Sequence, residues 1–126
     1  MSKNRWKTSH TVVYNIGFHI IFCPKYRRKV LTGQVKMRLP ELFKIKADEL
    51  GLDIQDVTIM PDHVHLFLKA SPALAPHFIV GQLKGYSSRI LRNELPSLWT
   101  RSYYIESVGH ISEDTIRKYI EDQEGK

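Results

Sequence analysis

The chain has 126 residues, 42% of them hydrophobic, which gives length for one domain around one core and none for a second, so 1–126 reads as a single unit. Lysine and arginine outnumber the acids 19 to 13, a formal net charge of +6, and this balance points to a polyanionic partner. No stretch approaches the ~18 to 20 apolar residues of a membrane span and no signal-peptide apolar region follows the first residues, so a cytoplasmic protein without membrane association is expected. The single Cys23 excludes an internal disulfide and any multi-cysteine zinc site, leaving His, Asp, Glu or Gln to hold a metal.

From Val12 to Phe22 the even positions Val12, Tyr14, Ile16, Phe18, Ile20 and Phe22 are all apolar. The odd ones include Asn15, Gly17 and His19, and this period of two predicts one long strand. Lys25, Tyr26, Arg27, Arg28 and Lys29 then crowd one turn. Such a group can pair phosphates while the tyrosine stacks on a base, as in single-strand DNA binders, although a solvated basic loop has the same composition. A helix follows Gly33 and reaches Leu50, with Leu39, Leu42, Phe43, Ile45 and Leu50 on or near one side, Pro40 in its first turn and Gly51 as its stop. Leu52 and Ile54 open a second strand that Val57 and Ile59 continue in the opposite phase, so a bulge is expected around Gln55-Asp56. Pro61-Asp62 turns the chain into a third strand. Ile79, Leu83, Tyr86 and Ile90, spaced four, three and four, mark a second helix that Glu94-Leu95-Pro96 ends. Trp99 to Val108 reads as the last strand, and Ser112 as N-cap with Glu113 and Asp114 behind it opens a closing helix. The order β-α-β-β-α-β-α belongs to the α+β class, as a ferredoxin-like β-α-β-β-α-β sandwich with an added C-terminal helix. RNA-recognition modules share that order, but RNP-like aromatic signatures are missing from these strands, so function has to be argued from side chains.

Two groups of side chains carry chemistry. In Met60-Pro61-Asp62-His63-Val64-His65-Leu66-Phe67-Leu68 the alternation of a strand sends His63 and His65 to one face, about 7 Å apart in Cα position, and Val64, Leu66 and Leu68 to the other. That is chelating distance for a divalent cation, although two half-exposed histidines on a sheet surface fit the same pattern. Asp62 beside His63 either orients an imidazole or only shapes the Pro61-Asp62 turn, the second being favoured. His19, on the less apolar face of the first strand, either approaches the site or is a satisfied structural histidine, the second being favoured. In the closing helix Tyr119 and Gln123, four residues apart, share one face, and Ile116 and Ile120 form an adjacent apolar pair.

His-hydrophobic-His on a strand with a late helical Tyr and a Gln four residues on resembles the single-tyrosine HUH transposases, the TnpA-type enzymes of minimal insertion sequences. The likeness extends along the chain. Phe18 to Leu31 looks like the family's opening strand and basic turn, Leu83-Lys84-Gly85-Tyr86-Ser87-Ser88-Arg89 like its second helix, and Ser107-Val108-Gly109 with Arg117 to Gln123 like its ending.

The resemblance implies a transposase that excises and inserts an insertion sequence as single-stranded DNA, acting as endonuclease and ligase through metal-assisted transesterification. His63, His65 and Gln123 would hold Mg²⁺ or Mn²⁺, and Tyr119 would be the nucleophile that forms a 5′-phosphotyrosine. Lys25, Tyr26, Arg27, Arg28, Lys29, Lys84 and Arg89 are the expected contacts to single-stranded and hairpin DNA. A homodimer is also implied, in which the helix carrying Tyr119 completes the partner's site. Three other readings stay open: a domesticated relative that processes chromosomal repeat hairpins, a hydrolase in which water replaces Tyr119, and a non-catalytic ferredoxin-like nucleic-acid-binding module.

Overall fold

The structure, a computed structural model, describes residues 7–8 and 13–108; the expected closing helix, with Tyr119 and Gln123, lies outside the described residues. Lys7–Thr8 (β1) and Val13–Tyr14 (β2) form a short antiparallel pair. Ile16–Phe22 (β3), Asp53–Met60 (β4), His63–Ala70 (β5) and Tyr104–Val108 (β6) form a four-stranded antiparallel sheet in the order β4-β5-β3-β6. Two helices, Gly33–Leu50 (α1) and Pro76–Ile90 (α2), lie between β3 and β4 and between β5 and β6 in the chain. The single strand expected over Val12–Phe22 is therefore two strands separated at Asn15, because Val13–Tyr14 pairs with β1 and Ile16–Phe22 with the main sheet.

Register decides which side chains meet. Phe18 lies opposite Leu68, Ile20 opposite Leu66 and Phe22 opposite Val64, so their side chains share one face of the sheet. On that face they join Leu39 and Phe43 of α1 and Ile79 and Leu83 of α2 in one cluster, most of it fully buried. Each such side chain contributes about 1.5–3 kcal/mol on burial, which makes this layer the main source of stability. The bulge stands where the phase change put it: Ile54 faces Leu68 and Asp56 faces Phe67, leaving Gln55 as the extra residue. Through it Ile54 and Val57 both reach the helix-covered face.

Helix α1 starts at Gly33 and ends at Gly51, whose φ of 72° is the left-handed cap that glycine takes most easily, with its N–H donating to the Ala47 and Asp48 carbonyls. Pro40 is not in the first turn as expected but well inside the helix, since Val35 already packs on the core and extends the helix N-terminal to it. Ile45 is 51% exposed rather than on the apolar side, because two residues turn a helix by about 200° from Phe43.

The last strand is shorter than the expected Trp99–Val108. Trp99 makes only an isolated bridge to Pro24, and pairing with β3 begins at Tyr104. A lysine serves the backbone before it. Lys84 Nζ donates to the carbonyls of Thr100 at 2.6 Å and of Arg101 and Ser102 at 3.3 Å each, so these acceptors are satisfied without a neighbouring strand. One turn further along α2, the buried Ser87 hydroxyl donates to the Leu83 carbonyl at 2.8 Å and accepts the indole N–H of Trp99 at 2.9 Å. The segment held in this way meets the basic turn: Lys25 N–H donates to the Leu98 carbonyl and Thr100 N–H to that of Cys23.

Candidate active site

The face of the sheet away from the helices carries the histidines. Pro61-Asp62 closes a tight hairpin in which Met60 pairs with His63, so His63 and His65 are the first and third residues of β5. Their rings stand edge to face with centroids 4.6 Å apart. Thr58 and Ile21 lie opposite His65, and on β3 the neighbouring position of the same face is His19. The His19 ring is parallel to that of His65 at 6.0 Å, with Tyr104 at its edge and Glu106 Oε1 3.9 Å from its Nδ1. Gly17 gives Phe67 its place on this face, since a Cβ there would lie 3.0 Å from the ring. His19 thus stands beside the pair, the less favoured of its two expected places, because strand parity gives a face but not the pairing register.

His63 Nδ1–H donates to Asp62 Oδ1 at 2.6 Å. Asp62 in turn accepts from Arg27 Nη2 through its other oxygen at 3.0 Å. The hydrogen bond from His63, with the nearby Arg27 charge adding to it, holds the Asp62 carboxyl below the usual carboxylate range, against a smaller opposing push from burial. An ionised carboxylate only accepts, so in its neutral form the His63 ring carries its proton on Nδ1 and presents the Nε2 lone pair. The favoured reading of Asp62 as a mere turn residue is therefore corrected: its carboxylate bonds two side chains. Burial above all, with the nearby His63 and His19 imidazoles adding to it, pushes the His65 imidazole down to about 4, which keeps it neutral near pH 7. His63 Nε2 and both nitrogens of His65 are buried with no hydrogen-bond partner among the described residues.

One lone-pair nitrogen from each of two adjacent rings, both buried without partners among the described residues, fits a cation ligand pair, because a bound metal satisfies acceptors whose burial otherwise costs free energy. Among the described residues no group of three or more His, Cys, Asp or Glu side chains gathers as a metal site. A complete shell would need a further ligand, and Gln123 lies outside the described residues.

The expected DNA contacts divide. Lys25–Arg27 forms one 3₁₀ turn in which Tyr26 and Arg27 both have positive φ, 61° and 50°, and Tyr26 is 90% exposed. Arg27 reaches Asp62, Arg28 folds back so that its Nε donates to the Lys25 carbonyl at 3.2 Å, and Lys29 is exposed. Lys84, an expected DNA contact, donates to the three carbonyls of residues 100–102, and burial pushes its ammonium below the ordinary lysine value. Arg89 stands over the Tyr86 ring, 5.5 Å from its centroid, at a groove of about 170 Å³ lined by Lys46, Gly81, Gln82, Gly85, Tyr86 and Arg89. That groove is on the helix layer, across the sheet from the histidines. No helix among the described residues is long and apolar enough to cross a membrane.

A family model described as Transposase IS200 like matches residues 12–123. The ISDra2 transposase TnpA of Deinococcus radiodurans is 37% identical over 129 residues, covering 95% of this chain and 92% of the relative. The transposase for insertion sequence element IS200 of Salmonella typhimurium is 29% identical over 119 residues, covering 87% and 78%. Among solved structures, a Deinococcus radiodurans transposase superposes with a TM-score of 0.76 at 32% identity, covering 93% of this chain and 97% of that one. A REP-associated tyrosine transposase bound to a REP hairpin shares the fold, with a TM-score of 0.63 at 14% identity over 95% of this chain and 68% of that one. The chain belongs to the IS200-like transposase family, the TnpA group of the HUH superfamily. Its class of activity is that family's transposition of insertion sequences, a nuclease activity on DNA, and family membership suggests a divalent metal.

Proposed function

We propose that the protein is a single-strand DNA transesterase that cuts and rejoins the ends of an insertion sequence through Tyr119, with His63, His65 and Gln123 holding Mg²⁺ or Mn²⁺. The observation that carries this reading is the pair of adjacent imidazoles on one face of β5, with His63 Nε2 and both His65 nitrogens buried and without partners among the described residues, in a chain of the IS200-like family. A divalent ion bound there supplies Lewis-acid polarisation and orientation of the scissile phosphate. Neutral His and Gln donors bind Mg²⁺ weakly, so better retention of Mn²⁺ is expected.

The Tyr119 hydroxyl oxygen attacks phosphorus and loses its proton; the Oη–P bond forms, the bond from phosphorus to the 3′ oxygen breaks, and that oxygen leaves as a 3′-hydroxyl. A second 3′-hydroxyl reverses the exchange onto another strand without ATP, because one phosphodiester-type bond is conserved. The exposed Tyr26 and Lys29 of the basic turn would hold the single strand by stacking and by charge, and hairpin DNA at the element's ends would be the recognised form. In this reading the protein works as a homodimer in which the C-terminal helix of one subunit completes the site of the other.

The test is a denaturing gel of the protein with end-labelled single-stranded hairpin DNA from its genomic flanks, in Mg²⁺, Mn²⁺ or EDTA. A metal-dependent adduct mapped to Tyr119 and lost in Tyr119→Phe, with DNA binding retained, is expected. Clean cleavage without an adduct would show a hydrolase, and metal-independent binding without cleavage a non-catalytic module. Mixing His63→Ala with Tyr119→Phe subunits should restore cleavage if sites are shared, and failure to do so would refute the composite site.

A further inference from the structure

Resting on the reading just given, we propose that Asp62 and Arg27 are positioning residues that lock the His63 imidazole with its proton on Nδ1 and its Nε2 free to ligate, and that Arg27 thereby joins the basic turn to the metal-binding strand. The two carboxylate oxygens of Asp62 serve different side chains, Oδ1 accepting from His63 Nδ1 at 2.6 Å and Oδ2 from Arg27 Nη2 at 3.0 Å. A ligating histidine whose second nitrogen donates to a carboxylate is fixed in tautomer and ring orientation. The Arg27 guanidinium holds that carboxylate in place, since a charge-assisted bond from a planar donor restricts its rotation.

Arg27 gets there through an unusual backbone. Tyr26 and Arg27 both occupy the left-handed region, which non-glycine residues seldom adopt, and the result aims Tyr26 into solvent while Arg27 turns back to Asp62. Both turns are anchored around this bond: Lys25 N–H donates to the Leu98 carbonyl and Leu31 N–H to that of Pro61. The cations of the basic turn therefore differ in role. Arg27 belongs to the metal ligand, and the exposed Lys29 remains for phosphate.

The experiment uses the full chain, metal-free at pH 7.5, with two readouts that do not depend on cleavage: long-range ¹H–¹⁵N NMR of the His63 ring and calorimetric Mn²⁺ binding. Wild type should show His63 protonated on Nδ1. Asp62→Ala should shift the ring toward the Nε2–H form and weaken Mn²⁺ roughly 10- to 100-fold. Arg27→Gln should weaken Mn²⁺ by a smaller factor, which Arg27→Lys partly restores, whereas Lys29→Gln should change neither readout. Asp62→Leu, similar in size but without an acceptor, serves where the alanine variant disturbs the turn, as judged by its amide spectrum. An unchanged tautomer and unchanged Mn²⁺ affinity in both Asp62 variants would overturn the proposal. The transesterase reading falls by a different result, the lack of a Tyr119 adduct in the wild-type protein, so the two failures are told apart.

Discussion

Replacing Ser87 by alanine tests whether a single buried hydroxyl holds the segment before β6 against α2. The substitution removes one oxygen and leaves no cavity of consequence, so the change in stability reports hydrogen bonding rather than packing. In the native protein Ser87 is fully buried, and its oxygen is the acceptor for the Trp99 indole N–H, itself inside the core against Phe22 at 4.7 Å. Without that oxygen the indole proton has no acceptor and keeps its desolvation penalty, about 1–3 kcal/mol. A loss near 2 kcal/mol against an unfolding entropy of roughly 0.26 kcal/mol/K for a chain of this length lowers the melting temperature by about 8 °C. Urea unfolding followed by far-UV circular dichroism measures the first quantity, and a thermal scan the second. Trp99→Phe removes the donor as well as some packing, so the Ser87→Ala/Trp99→Phe double variant should be more stable than the sum of the single losses, with a coupling of about 1–2 kcal/mol. A Ser87→Ala loss under about 0.5 kcal/mol, or strictly additive losses, would refute the claim that this bond pins the segment.

Acid should destabilise the metal-free protein through His65: its folded-state pKa lies at about 4 against 6.5 unfolded, so the unfolded chain binds the proton first and stability falls as pH drops from 6.5 toward 4. The full effect is about 3 kcal/mol, present as native stability above pH 6.5 and lost by pH 4; urea midpoints between pH 7.5 and 4.5 should show it, and His65→Gln should flatten the slope. Salt separates the lysines. For single-stranded DNA, Lys29→Gln should reduce the slope of log affinity against log salt by about 0.7, as expected for one lost phosphate contact. Lys84→Met should leave that slope unchanged, because its ammonium is bonded to the carbonyls of residues 100–102; an equal drop in both variants would return Lys84 to the DNA surface.

The pattern of the chain alone determined the two helices, the bulge after Ile54, the left-handed stop at Gly51 and the shared face of His63 and His65. All of these follow from local periodicity, turn chemistry or strand alternation, which neighbouring residues carry among themselves. Tertiary structure decided the rest. Pairing of β3 with both β5 and β6 brought His19 beside His65, and no spacing in the sequence encodes that register. Contacts across 35 residues gave Arg27 to Asp62, and contacts across 16 to 18 residues gave Lys84 to backbone carbonyls. A basic residue looks the same in sequence whether its charge meets a phosphate, a carboxylate or a backbone carbonyl. Which partner it has depends on three-dimensional proximity, and only the folded chain sets that.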